Sequence, residues 1–216
     1  MENKNKRAFL EAFLFTLGIF VLGILFGMSM ENKNLNEMND AFLNSQVTMF
    51  DTYLITTLVN NETSCDLLGQ EFVKIANKIY LEAELMDEYE KSSQVSENIK
   101  IVHKKYDVLR TMLWSTIKQY SDKCSNYDTV VYLYEYNSED LTQQANQNVW
   151  SKILGQVKEK VGDQIILIPI AVDQNLSSLD TILSNYDIEK YPVVLVNDDK
   201  ILYDTVTVSD FLTYLK

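Results

Sequence analysis

Residues 8–30, AFLEAFLFTLGIFVLGILFGMSM, form an apolar run of 23 residues with one ionisable group, Glu11. At about 1.5 Å per residue, a helix of that length crosses a hydrocarbon core of about 30 Å. A core helix of a water-soluble domain carries a polar face every 3.6 residues, and this run has none. A cleaved signal peptide has a shorter apolar run, about 7–15 residues, ending in a small-x-small site. Here the run ends in Gly27, Met28, Ser29, Met30 and Glu31, so an uncleaved transmembrane anchor is expected. Lys4, Lys6 and Arg7 precede it, and Glu31, Lys33, Glu37 and Asp40 follow it. Positive residues stay on the cytoplasmic side. Residues 1–7 are therefore expected inside and residues 31–216 outside. Glu11 lies about one turn from the cytoplasmic end and is read as snorkelling to the interface. Gly23 and Gly27 form a G-x-x-x-G pair that lets two such helices approach closely, a candidate homodimer contact.

Nineteen Lys and Arg stand against 31 Asp and Glu, a net charge of −12. Phosphate contacts need clustered Lys and Arg, so nucleic-acid binding is not expected. The part beyond residue 30 is acidic and is repelled by anionic headgroups. Two Cys and one His exclude a Cys₄ zinc site and most catalytic metal centres. No phosphate-binding glycine loop, zinc-protease motif, nucleophile elbow or calcium loop occurs. No cofactor, metal or catalytic residue is expected. Asn61-Glu62-Thr63 and Asn175-Leu176-Ser177 fit the N-glycosylation acceptor pattern.

Beyond the anchor the apolar residues recur at helical spacing. Residues 35–58 carry Leu35, Met38, Phe42, Met49, Tyr53 and Leu58, with Phe50 and Leu54 alongside. Asn60, Asn61, Glu62 and Thr63 break this stripe, and Ser64 is the expected N-cap of a second helix. That helix carries Leu68, Phe72, Ile75, Ile79, Met86 and Tyr89. Lys91, Ser92, Ser93 and Gln94 interrupt it. A third stripe runs Ile99, Val102, Tyr106, Leu109, Leu113, Ile117 and Tyr120. Three such stripes predict a helical stalk or bundle over residues 31–124. The lone His103 beside Val102 is read as structural or surface, because a general base needs partners.

Cys65 opens the second helix and Cys124 follows the third. They are equidistant from the polar break at residues 94 and 95, so an antiparallel hairpin brings them level at its far end. Outside the cell a disulfide persists. The alternatives are two free buried thiols or a redox-active pair. Redox pairs usually sit as C-x-x-C at a helix N-terminus, where the first thiol pKa is lowered, and this pair is not so arranged.

From residue 129 the period changes. TVVYLYEY over residues 129–136 reads as a strand, residues 139–161 as a helix, and QIILIPIAV over residues 164–172 as a strand buried on both faces. A short helix over residues 177–186 follows, then a strand PVVLV over residues 192–196. Asn197, Asp198, Asp199 and Lys200 make a hydrated hairpin turn into Ile201, Leu202 and Tyr203. Ser209 is the expected N-cap of a last helix holding Phe211, Leu212 and Leu215. The order is β-α-β-α-β-β-α over residues 128–216.

That order, with YDIEKYPVVLVN over residues 186–197, resembles the thioredoxin fold without its leading strand and helix. Pro192 matches the cis-proline of that family, after Tyr191. The anchor, helical region and thioredoxin-like module together resemble uncharacterised membrane-anchored archaeal proteins. The resemblance implies a C-x-x-C after the first strand, but Glu139, Asp140, Leu141, Thr142 and Gln143 stand there instead. Disulfide exchange needs an attacking thiolate and a resolving thiol. The expectation is therefore a membrane-tethered, extracytoplasmic, redox-inactive module that binds a protein or peptide or serves a structural role. Its expected contact is the loop before Pro192, beside the Glu139 region. The alternative is a thiol–disulfide oxidoreductase, or an accessory to one, working through Cys65 and Cys124.

Overall fold

The computed structural model describes residues 2–58, 65–92, 97–120 and 127–215. Asn61, Ser64, Ser93, Gln94 and Cys124 lie outside the described residues, as do the side chains of Leu35, Leu58, Met86 and Tyr89. The chain divides into two compact units, Met1–Asp40 and Ala41–Lys216.

In the first unit, helix α1 (Glu2–Leu58) contains the apolar segment Phe9–Met30, with a mean hydropathy of 2.4. All its side chains are exposed. In water such a surface is costly all the way round. It fits a single-pass anchor, where lipid tails take the place of a core. The hydroxyl of Thr16 donates to the Ala12 carbonyl at 2.9 Å, satisfying a polar group inside the segment.

The second unit holds the rest of α1, then α2 (Cys65–Ser92), α3 (Glu97–Tyr120), β1 (Asp128–Tyr134), α4 (Leu141–Val161), β2 (Ile165–Ala171), α5 (Ser177–Leu183), β3 (Val193–Val196), β4 (Lys200–Leu202) and α6 (Val208–Leu212). The four strands form one mixed sheet in the order β2-β1-β3-β4. β1 pairs parallel with β2 and antiparallel with β3, and β3 pairs antiparallel with β4. β1 is central and almost wholly buried, which suits its Val- and Tyr-rich sequence. One face of the sheet packs Val130, Tyr132, Leu167, Val194 and Val196 against Trp150, Leu154 and Val157 of α4 and Phe211 of α6. The peptide bond between Tyr191 and Pro192 is cis, immediately before β3.

The sequence reading puts a boundary between a stalk, 31–124, and the α/β part, 128–216. α2 and α3 lie against β2, the strand at one edge of the sheet. An open edge invites pairing with another chain unless something covers it. Here Asp107 of α3 accepts from the Ala171 N–H at 3.3 Å, and Asn77 of α2 donates to Asp163 at 2.8 Å. At Gly69 a Cβ would stand 3.1 Å from the Tyr127 ring, so the missing side chain lets α2 come this close.

Three further details differ from expectation. The buried face of α1 runs Phe42, Ser45, Met49, Thr52 and Thr56. Phe50, Tyr53 and Leu54 are exposed instead. Local hydrogen bonds make the hydroxyls tolerable: Thr52 donates to the Thr48 carbonyl and Thr56 to that of Tyr53. Ser45 reaches Glu82 of α2 at 2.7 Å. Glu82 also binds the hydroxyl of Tyr106 on α3, whose pKa is pushed up by burial first and by that carboxylate second. The second difference is the turn at Asn197 and Asp198, both left-handed at φ 55 and 57, which is not a hydrated turn alone. Asp198 accepts from Trp114 Nε1 at 2.9 Å and from the Tyr186 hydroxyl at 2.7 Å, tying α3 to the hairpin. Third, α6 is capped by Thr207 rather than Ser209. Thr207 Oγ1 accepts from the Asp210 N–H and donates to the Asp210 carboxylate, so both groups are satisfied together.

Candidate functional site

The C-terminal end of β1 opens into a cleft of about 350 Å³. Strand periodicity sets one wall: Tyr132 and Tyr134 project to the same face, level with Pro169 and Ala171 of β2. Helical periodicity sets the next: Gln147, Asn148, Ser151 and Gly155 fall on one side of α4. Tyr80 and Ala83 come from α2, and His103 and Arg110, seven residues apart, from α3.

The α3 side is charged and buried. Arg110 is 3% exposed and Asp107 is fully buried. Arg110 Nη1 donates to Asp107 Oδ1 at 3.0 Å. Asp107 Oδ2 and Arg110 Nε have no hydrogen-bond partner among the described residues. Burial pushes the Asp107 carboxyl above the ordinary carboxylate range, against the opposing pull of Arg110, His103 and the Ala171 N–H. His103 lies against Tyr136 with ring centroids 4.3 Å apart and the planes tilted by 39°. Tyr132 and Tyr134 stack at 5.4 Å.

The chain leaving β1 is held at several points. Gln147 accepts from the Glu135 N–H at 2.9 Å and donates to the Glu135 carbonyl at 3.0 Å. Asp173 accepts from the N–H groups of Tyr136 and Asn137 at 2.9 and 2.7 Å. Asp140 caps α4, accepting from Thr142 N at 2.7 Å and Gln143 N at 3.4 Å. The cleft rim is thus preorganised, which lowers the ordering cost of binding.

Burial pushes the phenol of Tyr132 up, and the neighbouring Tyr134 adds to the shift. Tyr191 is raised by burial, then by Asp180, Glu135 and Tyr203. These phenols stay neutral at physiological pH. The cleft presents aromatic ring faces, hydroxyls, an imidazole, two amides, one guanidinium and one carboxylate, a mixed polar and apolar lining suited to binding. Among the described residues no group of three or more His, Cys, Asp or Glu is placed to hold a metal ion.

The structure treats the expected site residues unequally. Glu139 and Asp140 lie at the α4 N-terminus, and Leu141, Thr142 and Gln143 form its first turn; Leu141 is 78% exposed. Leu133 pairs with Val193, so Tyr134 stands level with Pro192 one residue further along. Pro192 is buried and Tyr191 half-buried. Glu135 belongs to the cleft and also acts on Tyr191, so the cleft and the approach to Pro192 adjoin. Cys65 begins α2 and is disulfide-bonded. His103 is buried and is part of the cleft.

Sequence reasoning missed Asp107, Arg110 and Gln147. Two opposite charges three residues apart inside the apolar stripe from Ile99 to Tyr120 were the available signal for the first two. The alternation of Tyr132, Tyr134 and Tyr136 was the signal for the aromatic wall. Compared with known proteins, the chain matches no family model, no curated protein and no solved structure.

Proposed function

We propose that this chain is a membrane-tethered, extracytoplasmic thioredoxin-like protein that binds a protein or peptide partner and performs no disulfide exchange at the α4 N-terminus. The order β-α-β-α-β-β-α and the strand order β2-β1-β3-β4 support the thioredoxin-like reading. The observation that carries the function is the α4 N-terminus. Where an exchange enzyme of that family places its attacking thiol, Asp140 caps the helix with its carboxylate. A carboxylate satisfies the helix dipole and the first N–H groups but cannot attack a sulfur. What remains is recognition, with the cleft beside Tyr134, Glu135 and Arg110 as the seat of an extended peptide.

Insulin reduction by the purified protein tests the redox half. No turnover is expected, and a potential for the cysteine pair below about −300 mV fits a structural bridge. Turnover that disappears in Cys124→Ser overturns the reading in favour of the oxidoreductase. The binding half is read with a photo-crosslinking residue at Asn148, on the cleft rim, against one at Lys160, elsewhere on α4. Protein adducts in native membranes are expected at 148 and not at 160. Equal labelling removes the cleft from the proposal. For topology, a cysteine introduced at Lys4 should resist an impermeant thiol reagent in intact cells, and one at Asp199 should react.

A further inference from the structure

α1 has a second apolar face that nothing among the described residues covers. Leu43 is 54% exposed, Val47 67%, Phe50 52% and Leu54 56%, with Tyr53 beside them at 43%. Their spacing is 4, 3, 4. At 100° per residue Leu43, Val47, Phe50 and Leu54 lie on the opposite side of the helix from Phe42, Ser45, Met49, Thr52 and Thr56, which face the interior, and Tyr53 stands between the two faces. An exposed helix face in water normally carries charge. Residues 41–58 carry one charged side chain, Asp51, in a chain of net charge −12.

We propose that a second copy of this chain covers the stripe, the two α1 helices pairing side by side in parallel. The pairing rests on the anchor reading above. Because the stripe follows shortly after the segment Phe9–Met30 in sequence, two copies anchored in one membrane leave it from the same side with the same chain direction. The 4-3-4 spacing then reads as a short coiled-coil seam, with Val47 and Leu54 at a positions and Leu43 and Phe50 at d positions. β-branched residues at a with Leu at d favour two strands.

Charge and area point to the same occupant. Two strongly acidic molecules repel each other, and residues 41–58 are where they can approach with little charge between them. The five side chains leave about half their surface exposed. At roughly 150–200 Å² each, that is on the order of 400–500 Å² per copy and roughly 1,000 Å² per pair, close to the lower bound of a specific interface. Confinement to one membrane raises the effective concentration and offsets the short seam. This surface is distinct from Gly23 and Gly27, which lie inside the apolar segment.

The test uses the full chain in membranes, with Val47→Cys and Leu54→Cys against Lys152→Cys on the exposed side of α4. Mild oxidation should give a band at twice the monomer mass at 47 and 54 and none at 152. Introducing Val47→Asp into the Leu54→Cys variant should abolish that band. Its melting temperature should change little, because Val47 is 67% exposed in the monomer. Cross-linking at 47 and 54 no stronger than at 152, in chain that resists alkaline carbonate extraction, overturns the pairing alone. An adduct of any other mass overturns it in favour of a different protein. Release of the chain by carbonate overturns the anchor reading, and the parallel pairing with it.

Discussion

Arg110 and Asp107 form a buried ion pair with one hydrogen bond between them and an unpartnered atom on each side. Removing one member of such a pair leaves the other uncompensated, at a cost of about 3–5 kcal/mol. Arg110→Met should therefore destabilise the fold by about that amount at neutral pH in chemical denaturation. The pH dependence has a definite sign. Asp107 already has a raised pKa in the folded state, and losing Arg110 raises it further. A raised carboxyl favours folding fully below its unfolded value, and that contribution is lost as pH rises through the folded value. The penalty of Arg110→Met should accordingly shrink as pH falls from about 8 toward about 5. A penalty independent of pH would mean Asp107 is not the group left exposed to the loss. Asp198 offers a second test, since it accepts two side-chain donors at a left-handed turn position. Asp198→Ala should cost about 1–3 kcal/mol. Asp198→Asn keeps an acceptor oxygen and tolerates positive φ, so its melting temperature should lie much closer to that of the parent.

At the scale of elements, α4 shows how one side chain sets a boundary. Asp140 is extended at φ −80 and ψ 112 and receives two backbone N–H groups, so the helix starts at Leu141. Asp140→Ala should lower stability by about 1 kcal/mol in urea denaturation, leaving the cleft intact because Gln147 and Asp173 hold the preceding segment independently. A loss of cleft cross-linking in that variant would show that the cap, rather than those two residues, organises the rim. The far end of the same helix closes differently. Lys158 donates to the carbonyls of Gly162 and Ile165 at 2.9 Å each, and Gly162 supplies the positive φ. Burial lowers the Lys158 pKa while Asp163 opposes the shift.

For the whole molecule, α2 and α3 pack against the sheet at β2, and α3 also reaches the β3–β4 turn through Trp114 and Asp198. A fragment of residues 127–216 retains all four strands but loses that packing. It should self-associate, or unfold at lower denaturant than the full chain, as read by sedimentation and circular dichroism. A stable monomeric fragment would show that the sheet does not need that packing. Reduction of the disulfide at Cys65 should lower the melting temperature without abolishing the fold, because the apolar faces of α2 and α3 still pack. With Cys124 as partner the closed loop of nearly 60 residues corresponds to roughly 4 kcal/mol in the chain-entropy model.

Local pattern alone determined much of this protein. The apolar run of residues 8–30, the stripe from Ile99 to Tyr120 and the seven elements after residue 127 follow from periodicity, and their boundaries fall within a few residues of those observed. Periodicity reports which side of an element is buried only when that side is apolar. On α1 the expected stripe is buried at Met38, Phe42 and Met49, but its continuation is carried by Ser45, Thr52 and Thr56, while Phe50, Tyr53 and Leu54 face outward, so apolar spacing alone gives only part of that face. The same holds for Asp107 and Arg110, whose burial depends on each other and on Ala171, 64 residues away from Asp107. Tertiary structure decided these positions because a polar group can enter a core only when a partner meets it there. The partners, Glu82 for Ser45 and Ala171 for Asp107, come from other elements that the spacing within one helix does not encode.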